Sequence, residues 1–220
     1  MSHQPPRSQN ISVPGPVGVL EAILETPADG TTLGAVLVCH PHPQHGGTMQ
    51  NKVVHTLARA FLRMGFAALR FNFRGTGGSA GEYDEGVGEL DDALAALAWL
   101  RADFATGPVW LAGFSFGAAI AVRAAVQRPV DGLISVAPAI ARFASQLEGQ
   151  PACPWLLVQG DQDELVDVEQ TIAWVNQLLP GPELAVMAGA DHFFHGRLVE
   201  LRELVTTFVQ KEKGTVTDRP

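Results

Sequence analysis

The sequence has few charged residues, and basic ones are the scarcer kind. Charged residues make up 17% of the 220 residues, and 15 lysines and arginines stand against 23 aspartates and glutamates, for a formal net charge of -8. Nucleic-acid binding needs clustered lysine and arginine to neutralise phosphates, and the chain has no such cluster. We therefore expect neither a nucleic-acid partner nor attachment to an acidic membrane surface.

Cysteine and long apolar runs are also scarce. The two cysteines, Cys39 and Cys153, lie in apolar, strand-like surroundings, so we interpret both as free, buried thiols rather than as a disulfide. No apolar run approaches the ~20 residues that a membrane-spanning helix needs. The first residues contain no apolar core of signal-peptide length, so a cytoplasmic protein is expected.

Apolar residues are abundant, at 46% of the chain, which is enough for one large α/β core. The polar segments 1–9 and 211–220 are expected to be disordered tails. Between them, residues 10–210 are predicted to form a single domain, because no linker, repeat or low-complexity tract interrupts them. This domain starts with a predicted antiparallel hairpin over residues 11–26.

After the hairpin, apolar runs typical of buried strands alternate with segments of helical periodicity. Alternation favours parallel strands joined by right-handed crossovers, with helices on both faces of the sheet. In such sheets a functional site lies at the carboxyl ends of the strands. The predicted strands lie at residues 35–39, 66–73, 109–112, 133–137, 155–158 and 184–187.

The strand at residues 109–112 leads into a Gly-x-Ser-x-Gly turn around Ser115, followed by an apolar helix. A strand that reverses sharply into a helix needs small flanking residues, here Gly113 and Gly117, and the strained bend exposes the serine hydroxyl. A helix N-terminus also favours the negative charge that attack by a serine generates. Ser115 is therefore the candidate nucleophile.

A serine needs a base to become reactive, and the loops after the last two predicted strands contain suitable groups. The final loop has two histidines, His192 and His195, and the loop before it has several carboxylates, including Asp161 and Asp163. All of them follow strand ends, as Ser115 does. The order serine, acid, histidine is the one expected of an α/β-hydrolase.

Five short motifs, each after a predicted strand, occur in this order along the chain. They are His40-Pro41-His42-Pro43-Gln44-His45-Gly46-Gly47, Arg74-Gly75-Thr76-Gly77-Gly78-Ser79, the serine turn, Gly160 to Val166, and Gly189 to His192. Together they resemble the α/β-hydrolase superfamily, and more narrowly its small, lidless serine esterase-like members. The resemblance implies the α/β-hydrolase fold: a mostly parallel eight-stranded sheet with an N-terminal antiparallel hairpin, helices on both faces and no lid domain.

The resemblance also implies a catalytic assignment. The family pattern Gly-x-x-His falls on His192, which would be the base, and Gly-x-x-Asp-x-x-Val falls on Asp163, which would orient that base. Asp161 is the alternative acid. His195 is expected in the first turn of the last helix, pointing elsewhere.

An oxyanion formed by this chemistry requires backbone N–H donors. The residue after the nucleophile, Phe116, is expected to supply one. In the family the second donor comes from the loop after the third strand, where Pro41 and Pro43 have no N–H. The resemblance therefore indicates the backbone of His42, with Gln44 in reserve.

Two of the motifs admit other interpretations. The spacing His40-x-His42-x-x-His45 is compatible with a zinc site, but no nearby carboxylate or cysteine completes the set, and we predict no metal. The glycine-rich Arg74–Ser79 lacks the Gly-Lys-Ser/Thr ending of a phosphate loop and is predicted to be a structural turn that braces the serine turn. No dinucleotide-binding fingerprint follows the first parallel strand, so no cofactor is expected.

The space for a lid is small, because only residues 138–151 separate two strands, enough for a short helix near 140–147. We expect a shallow, open apolar pocket lined by Phe143, Phe193 and Phe194, suited to a small or short-acyl ester as substrate. A thioester, a small amide or a peptide would pass through the same tetrahedral intermediate. A non-catalytic binding protein on this fold is the alternative of another class.

Overall fold

The computed structural model describes residues 5–143, 145, 147 and 149–216. Its strands are β1 (Arg7–Gly15), β2 (Gly18–Thr26), β3 (Ala35–Cys39), β4 (Ala67–Phe71), β5 (Val109–Phe114), β6 (Gly132–Val136), β7 (Trp155–Gly160) and β8 (Glu183–Met187). Its helices are α1 (Lys52–Arg63), α2 (Gly88–Asp103), α3 (Phe116–Gln127), α4 (Ile140–Phe143), α5 (Val168–Val175) and α6 (Leu198–Val216).

All eight strands belong to one sheet, in the order β1-β2-β4-β3-β5-β6-β7-β8. β1 and β2 form an antiparallel hairpin, and β2 pairs antiparallel with β4. Every other pair, from β4 through β3 and β5 to β8, is parallel. The predicted α/β-hydrolase fold is confirmed, and the carboxyl ends of the parallel strands meet at one edge.

The sheet separates two apolar cores because successive strand residues point to opposite faces. In β3, Leu37 packs on the side of α2, α3 and α5, whereas Val36 and Val38 pack on the side of α1 and α6. All three side chains are fully buried, and each contributes about 1.5–3 kcal/mol relative to exposure. Burial on both faces explains why the central strands are continuous apolar runs.

Both ends of the domain extend further than the sequence predicts. β1 begins at Arg7, which pairs with Thr26, and α6 continues to Val216. The tail prediction is therefore wrong for residues 7–9 and 211–216, whereas residues 1–4 and 217–220 lie outside the described part. The polar composition of these segments did not predict that they would be ordered. β1 is held by its backbone hydrogen bonds to β2. At the other end, Lys213 Nζ lies 4.7 Å from the centre of the Phe66 ring.

The connection between β6 and β7 is short. The helix predicted near 140–147 is present as α4, and residues 144, 146 and 148 lie outside the described part. On the other side of β7, α5 ends at Val175, and Leu179 in the connection that follows is exposed. Among the described residues, no helix is both long enough and apolar enough to cross a membrane.

Both cysteines are free thiols, as predicted. Cys39 is fully buried at the end of β3, and burial raises the pKa of its thiol far above the usual range. Cys153 is half-buried rather than buried, and burial together with the charge of Asp131 raises its pKa to about 12. Neither group is a thiolate at neutral pH, so neither is a nucleophile.

Candidate active site

Ser115 occupies the sharp turn between β5 and α3. Its backbone has φ 55° and ψ -119°, a conformation that residues other than glycine rarely adopt. A Cβ atom at Gly113 would overlap the backbone of Gly117, and one at Gly117 would overlap the carbonyl oxygen of His40. The two glycines are therefore required by space, and the turn places the Ser115 hydroxyl at the carboxyl edge of the sheet.

The structure brings Ser115, His192 and Asp163 into one hydrogen-bonded chain. His192 Nε2 lies 3.1 Å from Ser115 Oγ. Its Nδ1 lies 2.9 Å and 3.0 Å from the two carboxylate oxygens of Asp163. Because the carboxylate accepts the proton of Nδ1, Nε2 is left as the acceptor that can remove the Ser115 proton.

The Asp163 carboxylate is held by several donors besides His192. One oxygen accepts the N–H groups of Leu165 at 2.9 Å and Val166 at 2.8 Å, and the other accepts Gln159 Nε2 at 2.8 Å. Burial alone would raise the pKa of Asp163, but the hydrogen bonds from His192 and these amides outweigh it and hold the pKa below its usual value. The acid is therefore charged at neutral pH.

The other acids of this loop join it to the loop after β8. Asp161, the alternative acid, accepts the N–H of Gly189 at 2.6 Å, and Glu164 accepts the backbone N–H of His192 at 3.3 Å. Neither carboxylate contacts the His192 ring in this arrangement. Both bonds bring the loop that carries Asp163 against the loop that carries His192.

His195 points away from the hydrogen-bonded residues Ser115, His192 and Asp163. It does not do so from the first turn of the last helix, as the sequence predicts. It precedes α6, which begins at Leu198, and its exposed ring pairs with Asp191 at 2.7 Å. The Asp191 carboxylate also accepts the His195 N–H at 3.0 Å. This local pair accounts for both residues without a role at Ser115.

The loop after β3 brings His42 against the residue that follows the serine. The rings of His42 and Phe116 lie 5.0 Å apart. Phe116 is the first residue of α3, where backbone N–H groups have no partner within the helix. Gln44, the reserve donor, has its N–H directed to His42 Nδ1 at 3.3 Å, which favours His42 as the second donor.

The same contact sets the tautomer of His42. Because Nδ1 accepts from Gln44, Nε2 carries the proton and donates to Tyr83 Oη at 3.1 Å. Tyr83 is the sole tyrosine of the sequence and lies on the loop between β4 and α2. Nothing in its local sequence signals this contact, because 41 positions separate the two residues.

His40 anchors this loop from within the core. Its ring is fully buried, Nδ1 lies 2.6 Å from the Pro41 carbonyl oxygen, and Nε2 accepts the N–H of Phe73 at 3.0 Å. Burial lowers the pKa of His40 to about 4. Both ring nitrogens are engaged, and the described residues contain no group of three histidine, cysteine or acidic side chains arranged to hold a metal ion.

The glycine-rich segment Arg74–Ser79 is a structural turn, but it braces the sheet. Ser79 Oγ accepts the N–H of Glu21 at 2.9 Å and donates to the carbonyl of Asn72 at 2.6 Å. The Gly78 N–H donates to the Glu21 carboxylate at 2.8 Å. These contacts join β2 to the end of β4, so the segment braces the hairpin against the sheet.

The three phenylalanines predicted to line a pocket lie in different environments. Phe193 is 39% exposed and its ring is 5.1 Å from that of His192. Phe194 is fully buried in the core beside α1 and α6, so the prediction for this residue is wrong. Phe143 is also buried: its ring packs 5.5 Å from the Phe116 ring, and it lines a narrow apolar pocket together with Val122 and Trp174.

Comparison with solved structures gives the class of the protein. The chain is 51% identical to an α/β serine hydrolase homologue of Coxiella burnetii, over 90% of this chain and 96% of that one, with a TM-score of 0.85. It is 40% identical to an α/β serine hydrolase without a lid from Xanthomonas campestris, over 96% and 97% of the two chains, with a TM-score of 0.88. With the fold and the Ser115 site, these likenesses define a lidless α/β serine hydrolase.

Sequence comparison gives the family. Residues 18–150 match the model of the family described as X-Pro dipeptidyl-peptidase (S15 family), and the chain belongs to this family. An uncharacterized protein of Rickettsia prowazekii is 35% identical over 183 residues, which are 79% of this chain and 77% of that protein. The matched span includes His42, Ser115 and Phe116, whereas Asp163 and His192 lie beyond it.

Proposed function

We propose that this protein hydrolyses small or short-acyl carboxylic esters through an acyl-serine intermediate. The observation that carries the proposal is the hydrogen-bonded chain from Ser115 Oγ through His192 to a buried, charged Asp163. The half-exposed Phe193 beside His192 supports an apolar substrate.

In the proposed mechanism, Ser115 Oγ attacks the ester carbonyl while His192 Nε2 takes the hydroxyl proton. Asp163 keeps the imidazole in the required tautomer and stabilises the imidazolium that forms. The backbone N–H groups of Phe116 and His42 bind the oxyanion. His192 then gives its proton to the leaving alcohol, and a water molecule, activated by the same imidazole, releases the carboxylic acid from Ser115.

A peptidase is the second candidate, because the family takes its description from an X-Pro dipeptidyl-peptidase. Amide and ester bonds are cleaved through the same tetrahedral intermediate, so Ser115, His192 and Asp163 are suited to the cleavage of either bond. The limited wall next to the site favours the ester. The connection between β6 and β7 contributes only α4 in its described part, which leaves little wall with which to align a peptide.

The experiment compares two substrates and one variant. We expect p-nitrophenyl acetate or butyrate to be hydrolysed far faster than glycyl-prolyl-p-nitroanilide. A fluorophosphonate probe should label the wild-type protein, and Ser115→Ala should lose both labelling and turnover, the latter by roughly 10⁴-fold or more. Faster cleavage of the prolyl anilide would favour the peptidase, and unchanged ester turnover in Ser115→Ala would refute the mechanism.

A further inference from the structure

A groove of about 280 Å³ separates the start of α4 from the loop after β7. Its volume lies near the lower limit of ligand pockets, which suits a substrate portion of only a few carbon atoms. The walls are apolar and the far end is polar. The lining residues are Ala139, Ile140 and Ala141 on one side, Leu165 and Val166 on the other, and Asp167 with Gln170 at the end.

Both walls of the groove are hydrogen-bonded to residues of the proposed mechanism. The Ala139 N–H donates to the carbonyl oxygen of Ser115 at 3.3 Å. On the opposite wall, the Val166 N–H donates to the Asp163 carboxylate at 2.8 Å. Each wall is thus attached by a hydrogen bond from its main chain to one member of the Ser115–His192–Asp163 chain, so the groove lies next to the site.

The backbone of the α4 wall is strained where it leaves the sheet. Ala137, directly after β6, has φ 44°, a left-handed conformation that is unfavourable for alanine. Its N–H donates to the carbonyl of Val158 at 2.8 Å, and Ser115 donates its own N–H to Val136 at 2.9 Å. Such strain persists where surrounding contacts fix a conformation that function requires. Here the strained residue directly precedes the segment whose Ala139 and Ala141 line the groove.

Leu165 is unusual in its loop, because the surrounding positions are largely acidic. The residue is 65% exposed, whereas its N–H is fixed to the Asp163 carboxylate at 2.9 Å. The main chain is therefore held by the acid of the proposed mechanism while the apolar side chain faces the groove. A bound apolar group would remove that side chain from water, which is favourable in proportion to the area covered.

The far end of the groove limits the length and the charge of the group that can bind there. The Asp167 carboxylate caps α5 by accepting the N–H groups of Glu169 at 2.8 Å and Gln170 at 3.1 Å. A long apolar chain would displace water from this carboxylate, and a chain that ends in a carboxylate would be repelled by it. The groove therefore fits a short, uncharged apolar group.

We propose that this groove binds the acyl group of the substrate and that Leu165 determines which acyl chains are accepted; this inference rests on the proposed function. The alcohol portion lies on the other side, because His192 Nε2 must protonate it and Phe193 lies beside His192. A second groove, of about 460 Å³, is lined by Phe193 together with Lys52 and His195. The substrate is then an ester of a short, uncharged aliphatic acid whose alcohol portion lies beside Phe193.

The test varies the acyl and alcohol portions separately. With p-nitrophenyl esters, Leu165→Ala should lower the butyrate-to-acetate ratio of kcat/KM by about tenfold. Ala141→Phe, which fills the opposite wall, should abolish butyrate turnover and retain acetate turnover. Among acetates of different alcohols, Leu165→Ala should leave the order of preference unchanged.

Leu179→Ala is the matched control, because Leu179 is 87% exposed and lies in the connection from α5 to β8, away from the carboxyl edge of the sheet. The inference is overturned when neither groove variant shifts the acyl ratio more than this control does. It is equally overturned when Leu165→Ala alters the preference among alcohols and not that among acyl groups.

A parallel measurement separates this inference from the proposed function. Labelling rates with methyl- and butyl-substituted fluorophosphonates require a reactive Ser115 but no ester turnover. If Leu165→Ala reduces the butyl-to-methyl labelling ratio while no ester is hydrolysed, the groove assignment is supported and the ester proposal fails. If esters are hydrolysed and the labelling ratio is unchanged, the groove assignment is wrong and the ester proposal stands.

Discussion

At the scale of single residues, the Asp163 carboxylate shows how one side chain can serve both the fold and the chemistry. It closes the turn after β7 by accepting two backbone N–H groups, and it accepts the ring proton of His192. Gln159 adds a third kind of donor from within β7. The carboxylate can be buried with its charge because each of these donors stabilises the charged form.

The Asp163→Asn variant tests the orienting role. An amide in this position can present its NH₂ group to Nδ1 and thus favour the tautomer in which Nε2 carries the proton, which removes the acceptor needed by Ser115. We expect kcat for ester hydrolysis to fall by roughly 10⁴-fold, with an unchanged far-ultraviolet circular dichroism spectrum. Asp161→Asn is the control, and an equal loss in both variants would mean that loop closure, and not the tautomer, is responsible.

His40 makes stability depend on pH. Its pKa is lowered to about 4 by burial, whereas the unfolded chain takes up the proton near pH ~6.5. As pH falls between these values only the unfolded state binds the proton, so the free energy of unfolding should decrease by about 1.4 kcal/mol per pH unit for this group. The contribution is fully present above pH ~6.5 and is lost as pH falls.

Urea unfolding at pH 7, 6 and 5 measures this slope. His40→Gln should be less stable than the wild type at pH 7 and should have a shallower decline between pH 6 and 5. Because the pKa of His55 is also lowered, chiefly by burial, and His55 is kept in both proteins, the difference between the slopes isolates His40. Parallel slopes would show that His40 is not held neutral.

At the scale of elements, a buried ion pair joins the end of β4 to α2. Arg74 makes two side-chain hydrogen bonds to the Asp92 carboxylate, at 3.0 Å and 2.8 Å, and its backbone N–H adds a third at 2.9 Å. The Asp92 side chain is fully buried. This pair fixes the start of the loop that carries Tyr83 toward His42.

Asp92→Ala should therefore be strongly destabilising, because it leaves the buried Arg74 guanidinium with only the more distant and exposed carboxylate of Asp84, at 3.8 Å. We expect a loss of about 3–5 kcal/mol in the free energy of unfolding, measured by urea denaturation. Lys211→Ala is the matched control, since it removes an exposed pair with Glu183, and solvent screening makes the contribution of such a pair small. Similar losses in the two variants would contradict the account of the buried pair.

The order of strands and helices was predictable because buried segments have a recognisable pattern of apolar residues in the sequence. Continuous apolar runs marked the central strands, and the two glycines around Ser115 marked the turn. Element ends were less predictable where partners distant in sequence decide them. The N-terminal strand begins at Arg7 through pairing with Thr26, which local composition does not reveal.

At the scale of the whole molecule, the site exists because three loops distant in sequence meet at one edge of the sheet. Parallel strands made that meeting predictable, and the expected residues Ser115, Asp163 and His192 do lie together. The surroundings were harder to predict. Phe193 and Phe194 are adjacent in sequence, yet one is partly exposed and the other fully buried, and the groove with Leu165 depends on the packing of two loops.

The central claim is that Ser115 becomes acylated, and trapping the acyl-enzyme tests it most directly. Wild-type protein mixed briefly with p-nitrophenyl butyrate and quenched in acid should gain the mass of one butyryl group, located by peptide mass spectrometry on Ser115. Ser115→Ala, treated in the same way, should gain none. Hydrolysis without any adduct at Ser115, or an equal adduct elsewhere in both proteins, would contradict the account.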